Sequence, residues 1–385
     1  MAIYLRLPSR SKPLTGQVEQ NQDMHILHVV GARPNFMKAA PVMQALGKRD
    51  RVQQTLVHTG QHYDFNMSDV FFQELGMPAP DVNLEVGSGS HAQQTSQIIA
   101  LFEPVVVERK PDWVVVYGDV NSTVAAALVC AKLLVPIAHV EAGLRSFDRT
   151  MPEEINRLLT DQIADLLFTP SEDGDKNLQR EGIAPQKVHL VGNVMIDTLV
   201  RLLPHAVERL PKGTPERYVL VTLHRPSNVD DSAWLRSLLD VLLEISHDLP
   251  VLFPVHPRTR SRMAETGLDL GTGGTGLKIL DPAPYLEFLA LQSKAAVVVT
   301  DSGGIQEETT FLGVPCLTVR DSTERPITVT MGTNTLVGRD TVRLRKELKA
   351  ALSGKAERGV IPPLWDGHAA ERIAEVITQS GSASR

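Results

Sequence analysis

The sequence predicts an α/β protein of two doubly wound parallel-sheet domains facing a cleft, and three features of its 385 residues support this. Short runs of branched apolar residues alternate with helix-length stretches, as βαβ units require. The alternation breaks once, at the proline-rich 201–217, and then resumes. Polar residues recur just past the apolar runs, at the strand ends where such sheets bind ligands.

Residues 1–23 contain no apolar core of signal-peptide length and read as a disordered extension before Met24. Strands are expected at 25–32, 53–60, 112–119, 135–143, 165–171 and 187–193, which places a first domain over 24–200. Within it, "MPEEINRLLTDQIADLLF" at 151–168 reads as a helix opened by proline, with Ile155, Leu158, Leu159 and Leu166 on a buried stripe. "YVLVTLH", "LPVLFPVHP", "LKILDP", "AAVVVTD" and "PCLTV" supply the strands of a second domain over 201–365. The closing 366–385 contains "AAERIAEVITQ", a helix expected to pack back toward the first domain.

Composition narrows the function. With 39 basic and 45 acidic residues, a formal charge of -6 and no long basic run, nucleic acid is not an expected partner. The longest apolar segments, such as "LLVPIAHV", fall short of the roughly 20 residues that a membrane span needs. Cys130 and Cys316 alone exclude a disulfide framework and a cysteine-rich metal site, which fits a cytoplasmic protein. The twelve histidines show no zinc-ligand spacing, and "GARPNFMK" lacks the GxGxxG of a dinucleotide fold, so neither metal nor NAD is expected.

"SGGIQEE" at 302–308 puts Ser302, Gly303 and Gly304 at a helix N-terminus, where free N–H groups and the helix dipole favour phosphate. A plainer reading makes Ser302 an N-cap on a tight turn. Glu308, one helical turn further, would repel phosphate but suits ribose or sugar hydroxyls, and a nucleotide sugar reconciles the two charges. Arg33 and Lys38 bring two cations suited to a diphosphate, or simply mark a solvated helix start. Asp119 and Glu141 follow two strongly apolar strands and can form an acid/base pair, unless Asp119 caps a helix and Glu141 pairs with Arg145. Glu153 reads on its own as an ordinary helix pair with Arg157. Gln61, His62, His224 and His256 lie at further strand ends, where histidine can meet phosphate or protonate a leaving oxygen.

Together "GARPNFMKAAP", "TGQH", "GDVNST", "HVEAGLRS", "MPEEINR", "TLHR", "PVHPR", "TDSGGIQEE" and "RDSTERP" resemble the non-hydrolysing UDP-N-acetylglucosamine 2-epimerases over about residues 25–340. The resemblance implies a glycosyltransferase-B-like pair of Rossmann-type domains. It also implies a homodimer and interconversion of UDP-N-acetylglucosamine and UDP-N-acetylmannosamine for envelope polysaccharides. It makes Asp119, Glu141 and Glu153 catalytic carboxylates and puts His224 by the diphosphate. It assigns the nucleotide to Arg33, Lys38, Ser302, Gly303, Gly304, Glu308 and Arg325. Asn35, Ser227 and Ile327 stand where the family often has glutamate.

Chemistry constrains such a reaction. The C2 proton of the sugar is not adjacent to a carbonyl, so UDP must depart first, giving oxocarbenium character that acidifies it. The expected intermediate is 2-acetamidoglucal, with Asp119 and Glu141 sharing the proton work and Glu153 supporting the cationic centre. A glycosyltransferase and an epimerase of a related UDP-diacetamido sugar remain the alternatives.

Overall fold

The computed structural model describes residues 23–61, 72, 74–255, 257–265, 267, 276–355 and 359–383. His62, His256 and all but the last residue of the expected extension lie outside them. Strands β1 (Met24–Val30), β2 (Val52–His58), β3 (Val82–Asn83), β4 (Trp113–Tyr117), β5 (Ile137–Val140), β6 (Leu166–Thr169) and β7 (Val188–Leu190) form a parallel sheet in the order β3-β2-β1-β4-β5-β6-β7. A second parallel sheet orders β8 (Val219–Thr222), β9 (Val251–Pro254), β10 (Leu277–Leu280), β11 (Val297–Thr300), β12 (Cys316–Thr318) and β13 (Asn334–Leu336) as β10-β9-β8-β11-β12-β13.

The central strands are apolar because helices cover both faces: Val114, Val115, Val116, Val297, Val298 and Val299 are all fully buried. Each sheet reverses its winding beside its first strand, between β1 and β4 in one and between β8 and β11 in the other. Loops leaving such neighbours diverge to opposite faces and open a crevice between them. The crevice loops of the first sheet begin at Gly31 and Gly118, and those of the second at Leu223 and Asp301.

Two edge strands, β3 and β13, escape sequence reading: neither is longer than three residues, and neither carries an apolar run. The helix expected over 151–168 ends at Ile163, and Leu166 belongs to β6. Its buried stripe also differs from expectation. Glu154, Asn156, Arg157, Thr160 and Asp161 face inward while Leu159 is 47% exposed. A helix lining a polar cleft turns its charged side in, so hydrophobic periodicity points the wrong way.

Helix Val194–Val207 runs across residue 200 into the proline-rich stretch and packs between helix Arg33–Gly47 on one side and helices Tyr285–Lys294 and Gly303–Leu312 on the other. One apolar cluster accordingly joins Leu199 and Leu202 to both Val42 and Leu289. The C-terminal helix Ala369–Ala383 lies on Arg33–Gly47, and the Asp197 carboxylate accepts the Ala369 and Ala370 N–H groups at its start. No helix among the described residues is long and apolar enough to cross a membrane.

Candidate active site

A cavity of about 620 Å³ opens between the carboxyl ends of the two sheets. The first sheet contributes Arg33, Lys38, Asp119, Glu141, Glu153 and Arg157; the second contributes His224, Arg225, Ser302, Gly303, Gly304, Glu308 and Arg325. Residues separated by up to 292 positions converge there because both winding reversals face the same gap.

Glu141 is the electrostatic centre. Its Oε2 is ion-paired with Lys38 of the first sheet, and its Oε1 accepts from Arg325 Nη2 at 3.0 Å, an arm reaching over from the second. Burial alone would raise this carboxyl, but Lys38 and then Arg325 hold it below the ordinary carboxylate value. Arg145 is not its partner. The Arg145 guanidinium is buried away from the cavity, on Glu181 at 2.6 Å and Asp161 at 2.7 Å. The alternating charges of "HVEAGLRS" could not show that the turn sends these two side chains apart. Glu141 itself has φ 71, a strained value for a residue with a side chain.

Asp119 follows β4 and is ion-paired with Arg157, which also donates to Glu154 Oε2 at 2.7 Å. Arg157 therefore serves Asp119 and Glu154 and leaves Glu153 lining the cavity, so the expected Glu153–Arg157 pair does not form. The capping role considered for Asp119 falls instead to no side chain, since Val120 holds the N-cap position of the next helix.

The helix start suited to an anion is that of Gly303–Leu312. Ser302 occupies its N-cap position but makes no side-chain capping bond, and Ser302, Gly303 and Gly304 all line the cavity. Gly303 is required by its neighbours: a Cβ there would come within 2.6 Å of Arg325 Nη1 and 2.7 Å of Glu324 Oε1. Arg325 packs against it, held by Glu141, Glu307 and Glu324. Glu308 lies one turn down and accepts from the Tyr285 hydroxyl at 2.9 Å; burial pushes its carboxyl up to about 7. His224 Nδ1 sits 3.0 Å from Asp301 Oδ1, and Asp301 also accepts the His224 and Arg225 N–H groups, fixing that loop.

Sequence reading missed Tyr285, Phe288, Glu307, Glu324 and Arg157, all of which line the cavity. Tyr285 and Phe288 start the helix that follows β10, five and eight residues past its end at Leu280, and neither is a charged or phosphate-type residue that would mark a site there. Gln61 is buried beside the cavity and lines a smaller one of about 340 Å³, which Asp119 and Glu153 also border. Its Oε1 accepts from Ser122 Oγ at 2.7 Å. Asn35 accepts from the Gly31 and Ala32 N–H groups and donates to Tyr117 O at 2.8 Å. An ionised glutamate could not make that last bond.

Two parallel sheets meeting at a cleft with a phosphate-type helix terminus on one wall and carboxylates on the other define a nucleotide-sugar protein of glycosyltransferase-B architecture. The sequence model of the UDP-N-acetylglucosamine 2-epimerase family matches residues 44–378, and this chain belongs to that family. It is 43% identical to the UDP-N-acetylglucosamine 2-epimerase of Methanocaldococcus jannaschii, over 92% of this chain and 99% of that one. It is 42% identical to the UDP-2,3-diacetamido-2,3-dideoxy-D-glucuronate 2-epimerase of Pseudomonas aeruginosa, over 92% of this chain and all of that one. A crystal structure of the Methanocaldococcus jannaschii enzyme in complex with UDP-GlcNAc and UDP superposes with a TM-score of 0.84, at 43% identity over 92% of this chain and all of that one.

Proposed function

We propose that this chain interconverts UDP-N-acetylglucosamine and UDP-N-acetylmannosamine by eliminating UDP to 2-acetamidoglucal and adding it back after proton transfer at C2. One observation carries the reading: an ionised Glu141, held between Lys38 and Arg325, shares a cavity with Asp119, Glu153 and an open helix N-terminus. In this reading Ser302, Gly303 and Gly304 take the diphosphate, with Arg33, Lys38, His224 and Arg325 stabilising its departure. Glu308 receives ribose hydroxyls, and Asp119 and Glu141 move the proton while Glu153 stabilises the cation-like centre. No redox cofactor enters this route, because neither the elimination nor the re-addition of UDP needs an external oxidant or reductant.

Asp119, Glu141, Arg33 and Lys38 come from the 24–200 lobe and His224, Ser302, Gly303, Gly304, Glu308 and Arg325 from 201–365, so the reading needs both lobes to form the site. A cytoplasmic homodimer supplying envelope polysaccharide synthesis is the setting we infer. The deciding experiment incubates the protein with UDP-N-acetylglucosamine in deuterated water without any acceptor. Deuterium at C2 of both epimers is expected; an active preparation with no exchange would instead indicate a glycosyltransferase. The near-equal identity to the Pseudomonas aeruginosa relative supports a second substrate, a UDP-diacetamido uronate, and the same exchange assay over a panel of UDP-sugars separates the two.

A further inference from the structure

His139 lies in β5, two residues before Glu141, and is completely buried. Its Nε2 is 2.8 Å from the Gly118 carbonyl oxygen, and its Nδ1 is 2.7 Å from Asp161 Oδ1. A carbonyl oxygen only accepts, so Nε2 bears a hydrogen. Asp161 also takes the Gly143 N–H at 3.1 Å and Arg145 Nη2 at 2.7 Å, both on Oδ2. Burial would raise the Asp161 carboxyl, but His139 and Arg145 hold it below the ordinary carboxylate value. An ionised carboxylate also only accepts, which leaves Nδ1 as a second donor.

We propose that His139 carries hydrogens on both ring nitrogens and is the positioning residue that locks the three carboxylate-bearing elements of the active site together. Gly118 immediately precedes Asp119, and Gly143 lies two residues past Glu141. Asp161 stands on helix Pro152–Ile163 in the stripe Glu153, Arg157, Asp161, whose members are four apart and share a face. One buried ring and its carboxylate therefore tie the β4 turn, the β5 turn and the Glu153 helix to each other. Gly118 and Glu141 have φ of 61 and 71, and for Glu141 that strained backbone persists only if its surroundings hold it. The local charges balance: His139 and Arg145 stand against Asp161 and Glu181. Unlike Asp119, Glu141 and Glu153, neither His139 nor Asp161 lines the cavity, so both act through the backbone they hold.

The effect on turnover rests on the epimerase reading, whereas the ring hydrogens are inferred from hydrogen-bond partners alone and are tested without it. Nitrogen NMR of the full chain labelled with ¹⁵N-histidine, at pH 8, is expected to show one ring with hydrogens on both nitrogens, missing in His139→Gln. A spectrum in which every histidine ring has a bare nitrogen would overturn the proposal. Asp161→Asn presents an amide N–H to Nδ1 and a carbonyl to Gly143, so the ring should keep Gly118 with a single hydrogen. That variant supplies the spectroscopic test if His139→Gln does not fold. In C2 exchange, His139→Gln is expected to lose about a hundredfold in kcat with KM changed no more than about threefold, the signature of misplaced reacting groups. A loss confined to KM, or an unchanged kcat, would refute the positioning role. If wild-type protein shows the doubly protonated ring but no exchange on any UDP-sugar, the functional reading fails and the histidine assignment stands.

Discussion

Arg325 donates from Nη2 to Glu141 Oε1 at 3.0 Å, a buried ion pair that joins the second sheet's wall of the cavity to the first. The same guanidinium meets Glu307 at 2.8 Å and Glu324 at 2.6 Å, so one cation organises three carboxylates from three chain segments. A single side chain therefore couples the charge of Glu141 to the wall of the cavity that the second sheet supplies.

Arg325→Ala should uncouple them. Removing one partner of a buried pair leaves uncompensated charge, a loss of about 3–5 kcal/mol in general. We expect KM for the UDP-sugar to rise at least tenfold, and small-angle scattering to show a larger radius of gyration. Arg325→Lys should be intermediate, because an ammonium cannot span three carboxylates with one fork. Unchanged scattering and KM in the alanine variant would show that the pair does not hold the lobes.

Asp119→Asn and Glu141→Gln keep shape while removing charge. Each is expected to cut turnover by about a hundredfold or more, an effect larger than that on UDP affinity, since neither residue belongs to the helix terminus proposed to receive phosphate. Calorimetric titration with UDP beside the exchange assay separates the two effects, and near-wild-type exchange would remove these residues from the proton pathway.

Gly303 and Gly304 should respond differently to alanine. A Cβ at Gly303 meets the Arg325 and Glu324 side chains within 2.7 Å, whereas at Gly304 the nearest atom is Met195 Cε at 3.9 Å. Gly303→Ala should lower both thermal stability and UDP affinity by displacing Arg325. Gly304→Ala should keep its melting temperature and weaken only ligand binding. Equal melting temperatures for the two variants would contradict this packing.

Glu308 makes stability fall with rising pH. Burial lifts its carboxyl from 4.5 to about 7 despite the Tyr285 hydrogen bond. Below about 4.5 both folded and unfolded chains are protonated there and the group contributes nothing. Between 4.5 and about 7 the unfolded chain ionises first, so the folded state is progressively disfavoured, and above that the effect is constant. Glu308→Gln resembles the protonated acid. Its stability relative to wild type should rise from pH 4 to pH 8, measured by urea unfolding; a difference independent of pH would refute the assignment.

The fold was largely legible because parallel strands buried on both faces read as runs such as "WVVVY" and "VVVT", and because the Pro-rich 201–217 interrupts them. Strand-end position alone placed Arg33, Asp119, Glu141, His224 and Ser302 near one another, since both winding reversals open on the same side. Pairing was not legible. "HVEAGLRS" offered Arg145 to Glu141, yet the partners are Lys38, 103 residues away, and Arg325, 184 residues away.

What the sequence determined by itself is therefore periodicity and composition: two sets of βαβ units, glycines at a helix start beside a strand end, and carboxylates at neighbouring strand ends. What the tertiary structure alone decided is which charge meets which. A strand end fixes where a side chain starts but not which way a left-handed turn at Glu141 sends it, nor that helix Pro152–Ile163 turns its charged face inward. Those choices depend on burying ions beside partners from distant segments, an energy that no local pattern of residues records.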